Sequence, residues 1–180
     1  MIDPFAAVQE QTRRHRADHG CGAYTYADGS LLGVVAATTG ARRIVEVGTA
    51  LGYTALWLAH GAPDATVDTI EMDPGHAELA REIFHERGLG DRITVHDGVA
   101  EAILPALRSA AYDVAFFDGF APTAEVVSDL RRLLRSGGVL VAGNLTLAAD
   151  RVVERELADS GRWLTHNFGE TALAVRQAST

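Results

Sequence analysis

The residues best placed to do chemistry form one run, Glu46-Val47-Gly48-Thr49-Ala50-Leu51-Gly52-Tyr53-Thr54, followed about one strand-helix-strand step later by Glu71-Met72-Asp73 and further on by Asp118 and Asn144. Gly48 and Gly52 permit a tight turn and let a ligand approach backbone amides at a helix N-terminus. A dinucleotide fingerprint needs G-x-G-x-x-G, a spacing that Gly48 and Gly52 do not have. A carboxylate at Glu46, just before the turn, would meet a pyrophosphate unfavourably but suits a ligand that carries an ammonium and a sulfonium. Glu71 ends the next apolar run, where an acid can accept hydrogen bonds from both ribose hydroxyls; its alternative is an ordinary solvated strand-end acid, with Asp73 only a helix cap. The turn His96-Asp97-Gly98-Val99-Ala100 has room for a flat adenine ring, or is a plain strand-to-helix turn. Phe117-Asp118-Gly119-Phe120 offers one carboxylate and one aromatic ring to a reacting centre, unless Asp118 is a helix N-cap.

The elements that must position these residues alternate in period. Short β-branched runs at 43–47, 66–71, 92–96, 113–118 and 139–142 are separated by helical patterns at 53–60, 74–87, 100–109 and 124–135, the last closed by Gly137-Gly138. Asp73-Pro74 supplies an N-cap with proline at the first helical position, and Gly88 and Gly90 stop that helix. Five apolar strands at this spacing imply a parallel sheet covered on both faces, with ligands beyond the carboxyl ends of the strands. After a helix around 148–158, strands at 163–168 and 171–175 are joined so tightly that they must form an antiparallel hairpin. Residues before about Ala41 read as two helices, 4–17 and 30–39, separated by Gly20-Cys21-Gly22 and a stretch bearing Tyr24 and Tyr26; these tyrosines either form a lid or simply pack the N-terminal segment. Trp57 and Trp163 read as core, and His96, His166 and Glu170 as surface or packing residues.

Composition narrows the partners. A chain of 180 residues is the size of one domain, and a formal charge of −8 disfavours nucleic acid and anionic membranes, leaving a neutral or cationic small molecule. All 16 basic residues are arginine, which excludes a Walker-type phosphate loop, a Schiff-base enzyme and a lysine general base. Cys21 is the only cysteine, and no Cys/His spacing matches a structural zinc site, so a cytoplasmic location is expected. The N-terminal residues lack the apolar core of a signal peptide, and no apolar run approaches the ~20 residues of a membrane span.

Together these motifs resemble the class I S-adenosylmethionine-dependent methyltransferases, and within them the small O-methyltransferases of the caffeoyl-CoA and catechol type. The resemblance covers residues from about 28 to 176. It rests on the 45–54 loop, Thr69-Ile70-Glu71-Met72-Asp73-Pro74, Phe116-Phe117-Asp118-Gly119, the Leu134–Val141 run and the terminal 168–174 segment. It implies an α/β, Rossmann-like doubly wound sheet of seven strands in the order 3-2-1-4-5-7-6, in a single domain with residues 1–40 as a helical cap. It also implies a homodimer. Carried over by position, Glu46, Gly48, Thr49, Gly52, Tyr53 and Thr54 would line the cofactor loop. Glu71 would hold the ribose, Met72, Gly98 and Ala100 would surround the adenine, and Asp118 would lie near the donor, with Asn144 as its catalytic companion.

The catalytic half departs from the family pattern. Metal-dependent members hold a divalent ion with an aspartate on strand four and an Asp-Asn pair after strand five; here the pair reads Gly143-Asn144, a thin site for a hard dication, and no tightly held metal is expected. Their lysine general base falls at Ala121. The expected activity is therefore methyl transfer to a small-molecule oxygen, with nitrogen as the second choice, driven mainly by alignment and with a histidine or carboxylate as base, or none for an acidic phenol. Two rivals are a cofactor-binding module that has lost catalysis and a nicotinamide-dependent oxidoreductase.

Overall fold

Each β-branched run becomes a strand in the computed structural model, which describes residues 2–120, 122–145 and 151–178. The strands are β1 (Arg43–Val47), β2 (Thr66–Glu71), β3 (Ile93–Asp97), β4 (Tyr112–Phe117), β5 (Leu134–Ala142), β6 (Trp163–Phe168) and β7 (Thr171–Arg176). The helices are α1 (Ala6–His19), α2 (Gly29–Thr38), α3 (Tyr53–Gly61), α4 (Pro74–Glu86), α5 (Ala100–Ile103), α6 (Ala124–Leu133) and α7 (Val152–Leu157). One sheet takes the expected order β3-β2-β1-β4-β5-β7-β6. Neighbours from β3 to β5 are parallel, whereas β7 runs antiparallel to both β5 and β6.

Helices cover both faces, so the central strands bury successive residues on opposite sides. Ile44 packs with Val67, Val114 and Phe116 beneath α2, α3 and α4, while Val45 and Val47 pack with Ala115 and Phe117 beneath α6 and α7. Alternation then puts Glu46 on the Ile44 face, a carboxyl group among apolar neighbours. Trp57 and Trp163 are buried in these two layers, as expected.

Two boundaries differ from the expected pattern. The helix foreseen over 100–109 is only the four residues of α5 followed by a 3-10 turn, Leu104–Ala106, because Pro105 has no N–H with which to continue the ladder. Gly137-Gly138 do not close α6. Leu134 turns extended immediately after α6 and pairs with Tyr112, so both glycines lie inside β5, at a shift of register with Gly137 at φ 75°. Of the helix expected at 148–158, residues 148–150 lie outside the described residues and α7 supplies the remainder. Among the described residues no helix is long and apolar enough to cross a membrane.

α4 is capped as foreseen: Asp73 Oδ1 accepts from the Gly75 and His76 N–H groups at 2.8 and 3.1 Å. α2 reaches α3 through glycines. A Cβ on Gly61 would stand 2.0 Å from the Gly33 carbonyl oxygen, a backbone atom that cannot rotate away. Gly61→Ala is expected to force the two helices apart and cost about 2 kcal/mol, lowering Tm by roughly 4–8 °C. Thermal unfolding followed by circular dichroism checks this; an unchanged Tm would show that the helices separate freely.

Candidate active site

β1, β2 and β4 each deliver a carboxyl group to the carboxyl edge of the sheet, and the glycine-rich turn lies between them. The turn needs its glycines. Gly48, at φ 97°, lies where a Cβ would meet the Asp118 backbone carbonyl at 3.3 Å, and a Cβ on Gly52, at φ 94°, would stand 2.4 Å from the Phe84 ring. The ends of β1 and β4 thereby close on one another, with the Asp118 N–H donating to the Val47 carbonyl at 3.0 Å.

Glu46 is fully buried. The parallel register sets it beside Thr69, whose hydroxyl donates to Glu46 Oε2 at 2.5 Å and lies 2.5 Å from the Thr49 hydroxyl. Among the described residues its other oxygen, Oε1, is buried without a hydrogen-bond partner. Burial pushes the carboxyl up to about 8 against the pull of the Thr54 and Thr69 hydroxyls, and the charges of Asp118 and Glu71 add to the rise. A buried oxygen without a donor, on a group that keeps its proton at neutral pH, marks a place short of positive charge.

Glu71, also buried, fixes the turn. Its Oε2 accepts from the Ala50 N–H at 2.8 Å and its Oε1 from the Asp73 N–H at 2.9 Å. Ala50 is thereby held at φ 46°, a left-handed conformation uncommon outside glycine. Each oxygen of Glu71 keeps a second lone pair for a ligand hydroxyl. Beside it Met72 is 72% and Val99 46% exposed, two apolar side chains left in solvent where Gly98 and Ala100 begin α5. They offer a flat ring an apolar surface.

Asp118 accepts a hydrogen bond from Asn144 Nδ2 at 2.7 Å, and Asn144 itself adopts φ 57°. Burial lifts the Asp118 carboxyl up to about 7, with the Asn144 bond opposing the shift. Gly143 is pinned by its N–H to the Phe117 carbonyl at 2.8 Å, and a Cβ there would lie 3.1 Å from Asp118 Oδ1. The amide of Asn144 thus turns its donor to the carboxylate. The residue aligned with the family's lysine, Ala121, lies outside the described residues. Phe120, next to Asp118, is 76% exposed.

The N-terminal segment closes over this edge. Thr12, Tyr24, Thr25 and Tyr26 line one narrow cleft together with Gly48 to Leu51 and Asp118. The two tyrosines part company: Tyr26 is buried, edge-on to Phe116 at 5.2 Å with its hydroxyl 2.8 Å from that of Thr171, whereas Tyr24 lies in solvent beneath Arg16.

Comparison with known proteins places the chain in a family: the family model described as "O-methyltransferase" matches residues 6–171. The chain belongs to the O-methyltransferase family. A protein of Mycobacterium sp. (strain JLS) named "Putative O-methyltransferase" is 38% identical over 144 residues, 78% of this chain and 66% of its own length. The matched part spans between 62% and 66% of the first such relatives. Among solved structures, the O-methyltransferase TomG from Streptomyces achromogenes, involved in tomaymycin synthesis and in complex with SAM, superposes with TM-score 0.83 at 26% identity, covering 95% of this chain and 90% of that one. Cofactor-bound Rv0187 from MTB gives 0.78 at 28%, covering 98% and 91%.

The O-methyltransferase fold gathers most of the residues singled out by sequence. Glu46, Gly48, Thr49, Gly52, Thr54, Glu71, Asp118 and Asn144 sit around the turn, and Met72, Gly98 and Ala100 flank its β2 and β3 side. Tyr53 also lines the cleft, but its hydroxyl donates to Asp3 at 2.8 Å. His96 lies apart, hydrogen-bonded through Nε2 to Asp68 Oδ1 at 2.8 Å, in a cluster that Tyr112 and Arg43 complete. His166 is exposed and stacks with Phe168. Sequence reasoning missed Thr69, Thr171 and Thr12; only Thr69 left a trace, as a polar residue inside an apolar strand.

Proposed function

We propose that this O-methyltransferase-family chain binds S-adenosylmethionine and transfers its methyl group to an oxygen of a small-molecule acceptor, without a tightly held metal. The observation that carries this reading is Glu46: a buried carboxyl with an unpartnered oxygen among the described residues, raised by burial and by two neighbouring acids, fits a ligand that brings an ammonium and a sulfonium and disfavours a pyrophosphate. When bound, the cofactor supplies an electrophilic methyl group on a positively charged sulfur.

The chain's own residues would divide the work. Glu46 compensates the ligand's positive charge, the N–H groups of the turn and of the α3 N-terminus donate to its carboxylate, and Glu71 accepts from the ribose hydroxyls. Met72, Gly98 and Ala100 bound the adenine. Asp118, half ionised near neutrality, accepts the acceptor's proton, and Asn144 orients it. Phe120 and Tyr24 offer apolar surface to the acceptor, and residues 1–40 act as a cap. A hard dication does not fit between Asp118 and Asn144, because only one carboxylate would face it and the amide turns its nitrogen, not its oxygen, toward that carboxylate. A cytoplasmic homodimer completes the reading.

Calorimetry on protein stripped of copurifying ligand is expected to show 1:1 binding of S-adenosylmethionine. A turnover screen over catechols, phenols and amines, with and without magnesium, is expected to show magnesium-independent transfer to a hydroxyl. The absence of both binding heat and a thermal shift at millimolar cofactor would sink the proposal. Binding without turnover of any acceptor would favour the second reading, a module that has lost catalysis, to which Gly143 and the absence of lysine point.

A further inference from the structure

Outside the active site, three side chains of metal-ligand type converge from three elements: His15 on α1, Cys21 in the Gly20-Cys21-Gly22 turn and His76 in the first turn of α4. Their donor atoms all lie within 4.8 Å of one another, and among the described residues no other trio of His, Cys, Asp or Glu does so. The His15 ring lies 5.2 Å from that of His76 and 4.5 Å from that of His19. His76 is buried and the other two are half-buried, so the point they enclose is sheltered yet reachable. Negative charge is close by: Glu71 Oε1 stands 3.9 Å from His76 Nδ1, and Asp73 caps the same helix turn.

We propose that His15, Cys21 and His76 form a binding site for a borderline divalent transition ion, zinc foremost, with water as the fourth ligand. The donor set decides the class of ion. One thiolate and two imidazoles suit zinc or cobalt and are poor ligands for magnesium or calcium, which prefer several oxygens. Zinc bonds of ~2.0–2.3 Å bring tetrahedral donors to within ~4 Å of each other, so the trio must contract by only about 1 Å. Cys21 sits between two glycines, Gly20 at φ 62°, which lets the turn make that adjustment. Glu71, 3.9 Å from the His76 imidazole, adds a nearby negative charge that favours a cation at the site.

A metal there would fasten α1 and the 20–26 segment to the start of α4, and so hold the cap over the edge where Glu71 braces the turn. The site adjoins Glu71, which would hold the ribose, but the Asp118–Asn144 pair takes no part and metal binding is read without methyl transfer, so failure of one proposal is distinguishable from failure of the other.

The test uses the whole chain, fully reduced, stripped by chelator and titrated with cobalt(II) and then zinc(II). One equivalent of cobalt is expected to give the intense visible bands of a tetrahedral ion and a sulfur-to-cobalt charge-transfer band, both abolished by one equivalent of zinc. Cys21→Ser is expected to remove the charge-transfer band and weaken zinc binding at least about tenfold, and His76→Gln to weaken it similarly, while His166→Ala on β6 leaves it unchanged. Circular dichroism establishes that each variant is folded. A wild-type protein that gives only the weak spectrum of octahedral cobalt overturns the proposal without recourse to any variant, as does zinc affinity equal in the wild type and in folded Cys21→Ser.

Discussion

Glu46→Gln is expected to remove about half of the pH dependence of stability that Glu46 and Asp118 together impose on the ligand-free protein, and to weaken S-adenosylmethionine binding about 10- to 100-fold, the worth of one charge-assisted contact. The carboxyl titrates at 4.5 when exposed and at about 8 in the fold. Between those values the folded chain holds a proton that the unfolded chain has released, so stability is full below pH 4.5, falls as pH rises through about 8, and is level above. The window spans up to ~5 kcal/mol. Asp118 adds a slope of the same sign, from 3.8 to about 7. Urea unfolding at pH 5, 6.5 and 8 should therefore show a declining wild type and a flatter Glu46→Gln, with the residual slope belonging to Asp118. A cation seated beside Glu46 favours the ionised form, so cofactor binding near pH 7 should release a proton. Calorimetry in buffers of different ionisation heat measures that release, which the variant should lose. Identical slopes in both proteins would mean that Glu46 does not carry the buried proton.

Asp118→Asn is expected to slow methyl transfer by about 10²- to 10³-fold while leaving cofactor affinity nearly unchanged. With its carboxyl raised to about 7, Asp118 is protonated in mild acid and ionised in mild base, so only the basic limb offers a proton acceptor. The wild-type rate should rise through a midpoint near pH 7. The variant should be slow and lack that limb, except with acceptors acidic enough to arrive ionised. Asn144→Ala should move the midpoint upward, since its hydrogen bond is what holds the Asp118 carboxyl down. Equal pH profiles for wild type and Asp118→Asn would reduce Asp118 to a positioning residue.

The two predictions share a cause that sequence reveals only in outline. Placing Glu46 before a glycine-rich turn was enough to expect a ligand with positive charge. The size of the effect comes from packing: Ile44-face alternation puts the carboxyl under α3, the register with Thr69 satisfies one oxygen, and no described residue hydrogen-bonds the other. Likewise, Asp118 and Asn144 were readable at the ends of β4 and β5, but not that the amide would donate to the carboxylate. Gly137-Gly138 shows the opposite failure. A pair that reads as a helix stop lies inside a strand, because pairing of Leu134 with Tyr112 outweighs local turn preference.

By itself the sequence determined the strands and helices, the turn, and the acids at the strand ends, since these follow from periodicity and from residues close together in the chain, whereas the strand order followed from the resemblance to a known family. Tertiary structure alone decided which groups share a dry environment. It raised Glu46 and Asp118, separated Tyr24 from Tyr26, tied His96 to Asp68, and brought His15, Cys21 and His76 to one point from positions 6 and 55 residues apart. Desolvation and metal geometry depend on distances across the fold, and spacing along a chain does not encode those until the helices have packed.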